Sequence, residues 1–229
     1  MKRINLNNIY RVACLSAYAL LTACSQNIFQ LGQAPQTAEF TNLSQTFAYE
    51  CQGGYQFTAS IDNQQAWLFL PERTVALMHI SAASGMKYSG ERVMFWSKGK
   101  EAMLEIDSTI HKGCKNNRSK AIWEHAKLNG ADFRALGNEP SWVLEIIAGE
   151  KITFSQPLVA KRFEFTLPEP KVNQSARTTQ YDTKDNEHTL SLVINGKPCN
   201  DTMSGESFAS TVIVILDGNT FNGCGKALH

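Results

Sequence analysis

The chain has 229 residues, 43% of them hydrophobic, with 22 Lys and Arg against 21 Asp and Glu and a net charge of +1. That length allows one large domain or two small ones, and the apolar content fits a globular rather than a disordered protein. The balanced charge gives no bulk electrostatic reason for a nucleic-acid partner, and no apolar run reaches the roughly 18 residues of a spanning helix.

At the start of the chain, Lys2, Arg3 and Arg11 supply positive charge and residues 12–21 a short apolar stretch. This is the pattern of a secretory signal. It ends in Leu21-Thr22-Ala23-Cys24, which resembles the bacterial lipobox, where small residues precede a cysteine that receives lipid. The resemblance implies a signal peptide over residues 1–23 and acyl chains such as palmitate on Cys24. Two or more chains give durable membrane anchoring where one is marginal. Ser25, rather than Asp, follows the cysteine; by resemblance to enterobacterial sorting rules this points to the outer membrane. Residues 24–45 are polar and read as a tether.

Six cysteines occur, and Cys14 and Cys24 fall to the signal and the lipid. Cys51, Cys114, Cys199 and Cys224 remain, an even number for an oxidising compartment. Three pairings are possible, and the simplest keeps each pair local: Cys51 with Cys114, Cys199 with Cys224. Loops of those lengths would contribute about 4 and about 3.5 kcal/mol. Neither Cys-x-x-Cys nor His-x-x-x-His spacing occurs, so a metal site is not expected, and no cofactor motif is present.

Residues 46–114 predict successive short strands: 48–52, 55–61, 66–70, 74–80, 86–89, 92–97 and 102–107. Gly53-Gly54, Asp62-Asn63, Pro71-Glu72 and Ser84-Gly85 punctuate them. Lys98-Gly99-Lys100 suits a hairpin, and in the strand at 102–107 Ala102, Leu104 and Ile106 face inward against Glu101, Glu105 and Asp107 outward, the period of a half-buried strand. Close spacing of short strands predicts an antiparallel barrel or sandwich. Residues 115–121 are polar and read as a linker, 122–128 as a short helix. Strands are expected again at 142–147, 151–154, 162–166, 189–194 and 211–216. Asn195-Gly196 and Asp217-Gly218 are hairpin dipeptides, and residues 168–187 read as a long exposed loop. The fold class is all-β: a small barrel over 46–115, then a second β-rich domain over 122–229.

Ser84-Gly85-x-x-Tyr88 and Phe95-Trp96-x-Lys98-Gly99 follow one another inside the first domain, after Tyr49-Glu50-Cys51. Together these residues resemble the membrane-bound inhibitors of c-type lysozyme, over about residues 46–115. The resemblance implies an eight-stranded antiparallel barrel, a Cys51–Cys114 bond, and no catalytic residues. It also implies contact with lysozyme through Ser84, Gly85, Tyr88, Lys98 and Gly99. Ser84 and Lys98 would enter the cleft, where lysozyme cleaves glycan with two carboxyl groups. Tyr88 and Gly85 would shape the first loop, and Gly99 the turn. An ammonium about 4 Å from a carboxylate gains about 4 kcal/mol at an effective dielectric near 20, much of it lost to desolvation. Lys87, Arg92, Lys98 and Lys100 face only Glu91 in sequence here. Most c-type lysozymes are basic, so net charge would not steer the encounter.

The second half carries Arg134–Trp142, Cys199–Ser204 and Asn222–Gly225, which resemble an uncharacterised family of bacterial envelope lipoprotein domains. Glu139, Asp201 and Ser204 are a conceivable polar site, more simply read as turn and capping residues. The expected function is therefore inhibition of c-type lysozyme by a lipid-anchored protein, with no enzyme activity. The alternative is an envelope adhesin or structural protein.

Overall fold

The computed structural model describes residues 44–229. The expected signal peptide and the cysteine expected to carry lipid, Cys24, lie outside these residues, as does all of the expected tether but its last two positions. Gln45 already belongs to a strand.

The first eight strands close into one antiparallel barrel. They are β1 (Gln45–Glu50), β2 (Gln56–Ile61), β3 (Gln65–Phe69), β4 (Thr74–Ile80), β5 (Met86–Gly90), β6 (Val93–Lys98), β7 (Glu101–Ile106) and β8 (Thr109–Asn116). Each pairs with its neighbour in sequence, and β1 returns to β8 through Tyr49 opposite Asn116 and Glu50 opposite Lys115. Alternation decides the two faces. Tyr49, Phe57, Leu68, Leu77, Tyr88, Phe95 and Leu104 point inward and are almost wholly buried. Tyr49 stacks on Phe57 and meets Phe95 edge-on. Its hydroxyl is buried without a partner, and burial raises its pKa to about 12. A Cys51–Cys114 disulfide ties the end of β1 to β8.

The expected linker over 115–121 is not one. Lys115 and Asn116 finish β8, and α1 (Arg118–Leu128) begins two residues later. Asn117 is its N-cap: the side-chain oxygen accepts from the Lys120 amide at 3.1 Å, satisfying one of the free donors of the first turn. A polar stretch was thus a cap plus the solvated face of a helix. On one side α1 lies along the barrel, with Lys120 paired to Glu50 and His125 bonded to Thr46. On the other, Trp123 packs on Phe208 at 5.1 Å, with Lys226 Nζ 4.6 Å above its ring.

The second domain is a nine-stranded sheet ordered β12-β11-β10-β9-β19-β18-β15-β14-β13. Its strands are β9 (Phe133–Asn138), β10 (Ser141–Ile147), β11 (Lys151–Gln156), β12 (Lys161–Thr166), β13 (Lys171–Asn173), β14 (Thr178–Lys184), β15 (Thr189–Asn195), β18 (Ser210–Leu216) and β19 (Asn219–Ala227). A two-stranded excursion, β16 (Cys199–Asn200) and β17 (Ser207–Phe208), lies between β15 and β18. The sheet curls until the Thr183 hydroxyl on β14 donates to the Thr166 carbonyl on β12 at 3.1 Å. Trp142, Leu144, Phe154, Leu192 and Val214 fill the interior. Trp142 fits only because Gly137 and Gly223 lie beside it. A Cβ on either would come within 2.6 Å of the indole or closer. The Cys199–Cys224 disulfide fastens the excursion to β19.

Two further expectations are corrected. Residues 168–187 are not a loop: β13 and β14 pair there, with Val172 opposite Thr179. Their residues are mostly polar because the edge strand β13 is exposed and its neighbour β14 is at most half-buried, which removes the alternation that would have revealed them. Asn195-Gly196 is not a hairpin turn, since β15 pairs next with β18, beyond the excursion. Asp217-Gly218 does close a two-residue hairpin, with Leu216 opposite Asn219.

The β13–β14–β15 edge carries an acid-sensitive element. Asp182 accepts from Lys171, Gln180 and Ser191, and these bonds push its carboxyl down to about 2. A folded-state value below the ordinary carboxylate value of about 3.9 means stability that is present above that pH and lost as pH falls toward 2. Asp182→Asn is expected to flatten the fall of the urea midpoint between about pH 4 and 2. An unchanged slope would place the acid sensitivity elsewhere.

Candidate functional site

The β4–β5 loop, residues 81–85, and the β6–β7 turn, Gly99-Lys100, meet at one end of the barrel. Antiparallel pairing dictates this. Met86 stands opposite Ser97, so the residue before Met86 is delivered to Lys98. Gly85 makes the approach possible. It has φ +71°, and a Cβ there would lie 2.4 Å from the Ser97 carbonyl and 3.2 Å from the Lys98 Cβ. The Trp96 indole donates to the Ser84 carbonyl at 2.8 Å, fastening the loop to β6.

Ser84 and Lys98 are both exposed. Among the described residues, neither the Ser84 hydroxyl nor the Lys98 ammonium has a hydrogen bond or ion pair. Glu101 stands opposite Lys98 across the turn without forming an ion pair with it. A cavity of about 280 Å³ opens beside Lys98, walled by Trp96, Met103 and Lys112. Gly99 has φ +63° with open space where a Cβ would go; the turn needs its backbone freedom, not its small size.

Tyr88 differs from the other expected contact residues, Ser84, Gly85, Lys98 and Gly99, which are exposed. It is fully buried, opposite Phe95, with its hydroxyl donating to the Asp62 carbonyl at 3.0 Å. Burial raises its pKa, and the nearby Asp62 carboxylate adds to the effect. The Asp62 carboxylate in turn accepts from the Gln64 and Gln65 amides, both at 2.7 Å, which holds its own pKa down. Tyr88 therefore braces the strand that leads out of the loop and presents no surface to a partner. Trp96 has the bracing role that sequence reasoning left unassigned. The signal was an aromatic at an outward position of an otherwise alternating strand.

In the second domain, the three polar candidates are not brought together. The Asp201 carboxylate accepts from the Ser204 amide at 2.7 Å and its hydroxyl at 2.6 Å, and from Asn138. Burial alone would raise the Asp201 pKa; these bonds more than offset it and the value is lowered. Glu139 is exposed in the β9–β10 turn, before a cis Pro140, and takes no part. Asp201 with Ser204 closes the turn of the excursion. Among the described residues no group of His, Cys, Asp and Glu could hold a metal ion.

Comparison with known proteins concerns the barrel. A family model described as membrane-bound lysozyme-inhibitor of c-type lysozyme matches residues 49–112. A curated relative from Yersinia enterocolitica, named membrane-bound lysozyme inhibitor of C-type lysozyme, is 39% identical over 69 residues. The matched stretch covers 29% of this chain and 58% of the relative. No solved structure matches.

Proposed function

We propose that this protein is an envelope lipoprotein, anchored at the outer membrane through Cys24, that inhibits c-type lysozyme with its N-terminal barrel. The observation that carries the reading is the close approach at Gly85, which brings the Trp96-fastened loop of exposed Ser84 against the strand end that carries the unpaired Lys98. The family match over residues 49–112 and the name of the Yersinia relative agree with it.

A glycan-cleaving cleft with two carboxyl groups presents the charge that Lys98 lacks at home. The ammonium would pair with a catalytic carboxylate, and Ser84 would hydrogen-bond beside it. Water is excluded there, so the pair gains Coulomb energy but also costs desolvation. Loop rigidity then matters: Trp96, Gly85 and buried Tyr88 order the two loops before binding, which lowers the entropy cost of association.

The purified full chain, oxidised and held in detergent, is expected to inhibit a c-type lysozyme stoichiometrically on cell-wall substrate. Absence of inhibition by protein with native circular dichroism would overturn the proposal and hand the function to the adhesin reading.

A further inference from the structure

A groove of about 680 Å³ runs where β1, α1, the Gly99-Lys100 turn and β9 converge. It exists only because α1 joins the barrel to the second sheet. Lys100, Arg118 and Arg134 line it, with His125, and no Asp or Glu does. Lys100 and Arg118 form no ion pair among the described residues. Arg134 is partly neutralised by Glu145, yet its buried Nε has no acceptor. Three cations therefore share one carboxylate partner, which leaves the groove a net positive field.

The rest of the lining is mixed. Phe47 and Ile122 give apolar surface, and Thr46 and Asn116 give hydroxyl and amide groups. A small inorganic anion would have no use for the apolar walls, whereas a sugar ring offers an apolar face and a hydroxyl rim together. We infer that this groove binds an acidic glycan, a cell-wall saccharide whose carboxylates meet Lys100, Arg118 and Arg134. The demand for an anion rests on the lining alone; the choice of cell-wall glycan rests also on the inhibitory reading. Gly99 lies both on the groove rim and in the turn after Lys98. A bound strand would hold the inhibitory loops beside the material that the enzyme attacks.

The test is calorimetric titration of the full chain with soluble disaccharide-peptide fragments of cell wall. The same fragments with amidated carboxyls, and phosphorylated core oligosaccharide from lipopolysaccharide, run beside them. Amidation is expected to weaken binding at least tenfold, as is Lys100→Glu with Arg118→Glu. Arg118 occupies the first turn of α1, where an acidic residue favours the helix, so the variant should fold. Lys98→Ala should leave glycan binding unchanged, and Arg118→Glu alone should leave inhibition of lysozyme on a small soluble substrate intact. These arms separate the groove from the inhibitory site. Equal binding of charged and amidated fragments, indifference to the double reversal, or preference for the phosphorylated saccharide would each overturn the inference.

Discussion

Lys98→Glu is expected to lower inhibition of c-type lysozyme by about 100-fold or more while leaving the fold intact. Losing one partner of a desolvated charge pair costs about 2–5 kcal/mol or more, and each 1.4 kcal/mol is about tenfold in affinity. Reversal adds repulsion between the introduced carboxylate and the enzyme's own carboxyl groups, so the effect belongs above the lower end of that range. Folding should be indifferent, because Lys98 is exposed at the end of β6 and forms no ion pair among the described residues. Ser84→Ala should cost less, about tenfold, in line with one hydrogen bond to a charged group. Inhibition constants measured beside thermal midpoints check both. Full inhibition by Lys98→Glu would show that a surface other than these loops makes the contact.

Two glycines with the same backbone sign make the second large prediction. Gly85→Ala is expected to reduce inhibition more than tenfold, and Gly99→Ala clearly less. Each substitution places a Cβ at positive φ, +71° and +63° respectively, costing about 1–2 kcal/mol. Only Gly85 adds a collision, 2.4 Å from the backbone carbonyl of Ser97, and overpacking costs typically about 1–3 kcal/mol more. The loop must retreat from β6 to relieve it. That lengthens the Trp96–Ser84 hydrogen bond and moves Ser84 away from Lys98. The Gly99 turn has nothing to collide with and can keep its course. Binding measured by calorimetry, with tryptophan fluorescence reporting the Trp96 environment, distinguishes the two. Equal losses would mean that backbone strain alone governs, and that the close packing at Gly85 is incidental.

The barrel was legible because most of its strands are half-buried; β8, in which only Cys114 is buried, was not among the expected strands. Alternation such as Ala102, Leu104 and Ile106 against Glu101 and Glu105 reports one face toward a core, and tight turns leave little choice of topology. The two loops of the candidate site were legible for a related reason: Gly85 and Gly99 mark positive-φ positions, and the residues beside them are the ones a loop displays. Tyr88 shows the limit. Sequence marks it as part of the motif, but its place on an inward-facing position of β5 makes it a brace. The polar segments over 115–121 and 168–187 carried no periodic signal. The first spends its side chains on a cap and a solvated helix face, the second on an edge strand and its neighbour with little to bury.

By itself the sequence determined the all-β class and the order of the two loop motifs, and it favoured the local disulfide pairing that the structure contains, since these depend on residue type, spacing and short-range pairing. Only the tertiary structure decided that α1 binds the barrel to the second sheet, that Asp201 and Ser204 close a turn without Glu139, and that Lys100, Arg118 and Arg134 share one groove. Those outcomes depend on contacts between segments far apart in the chain, and such contacts are set by how whole faces pack, which no local pattern records.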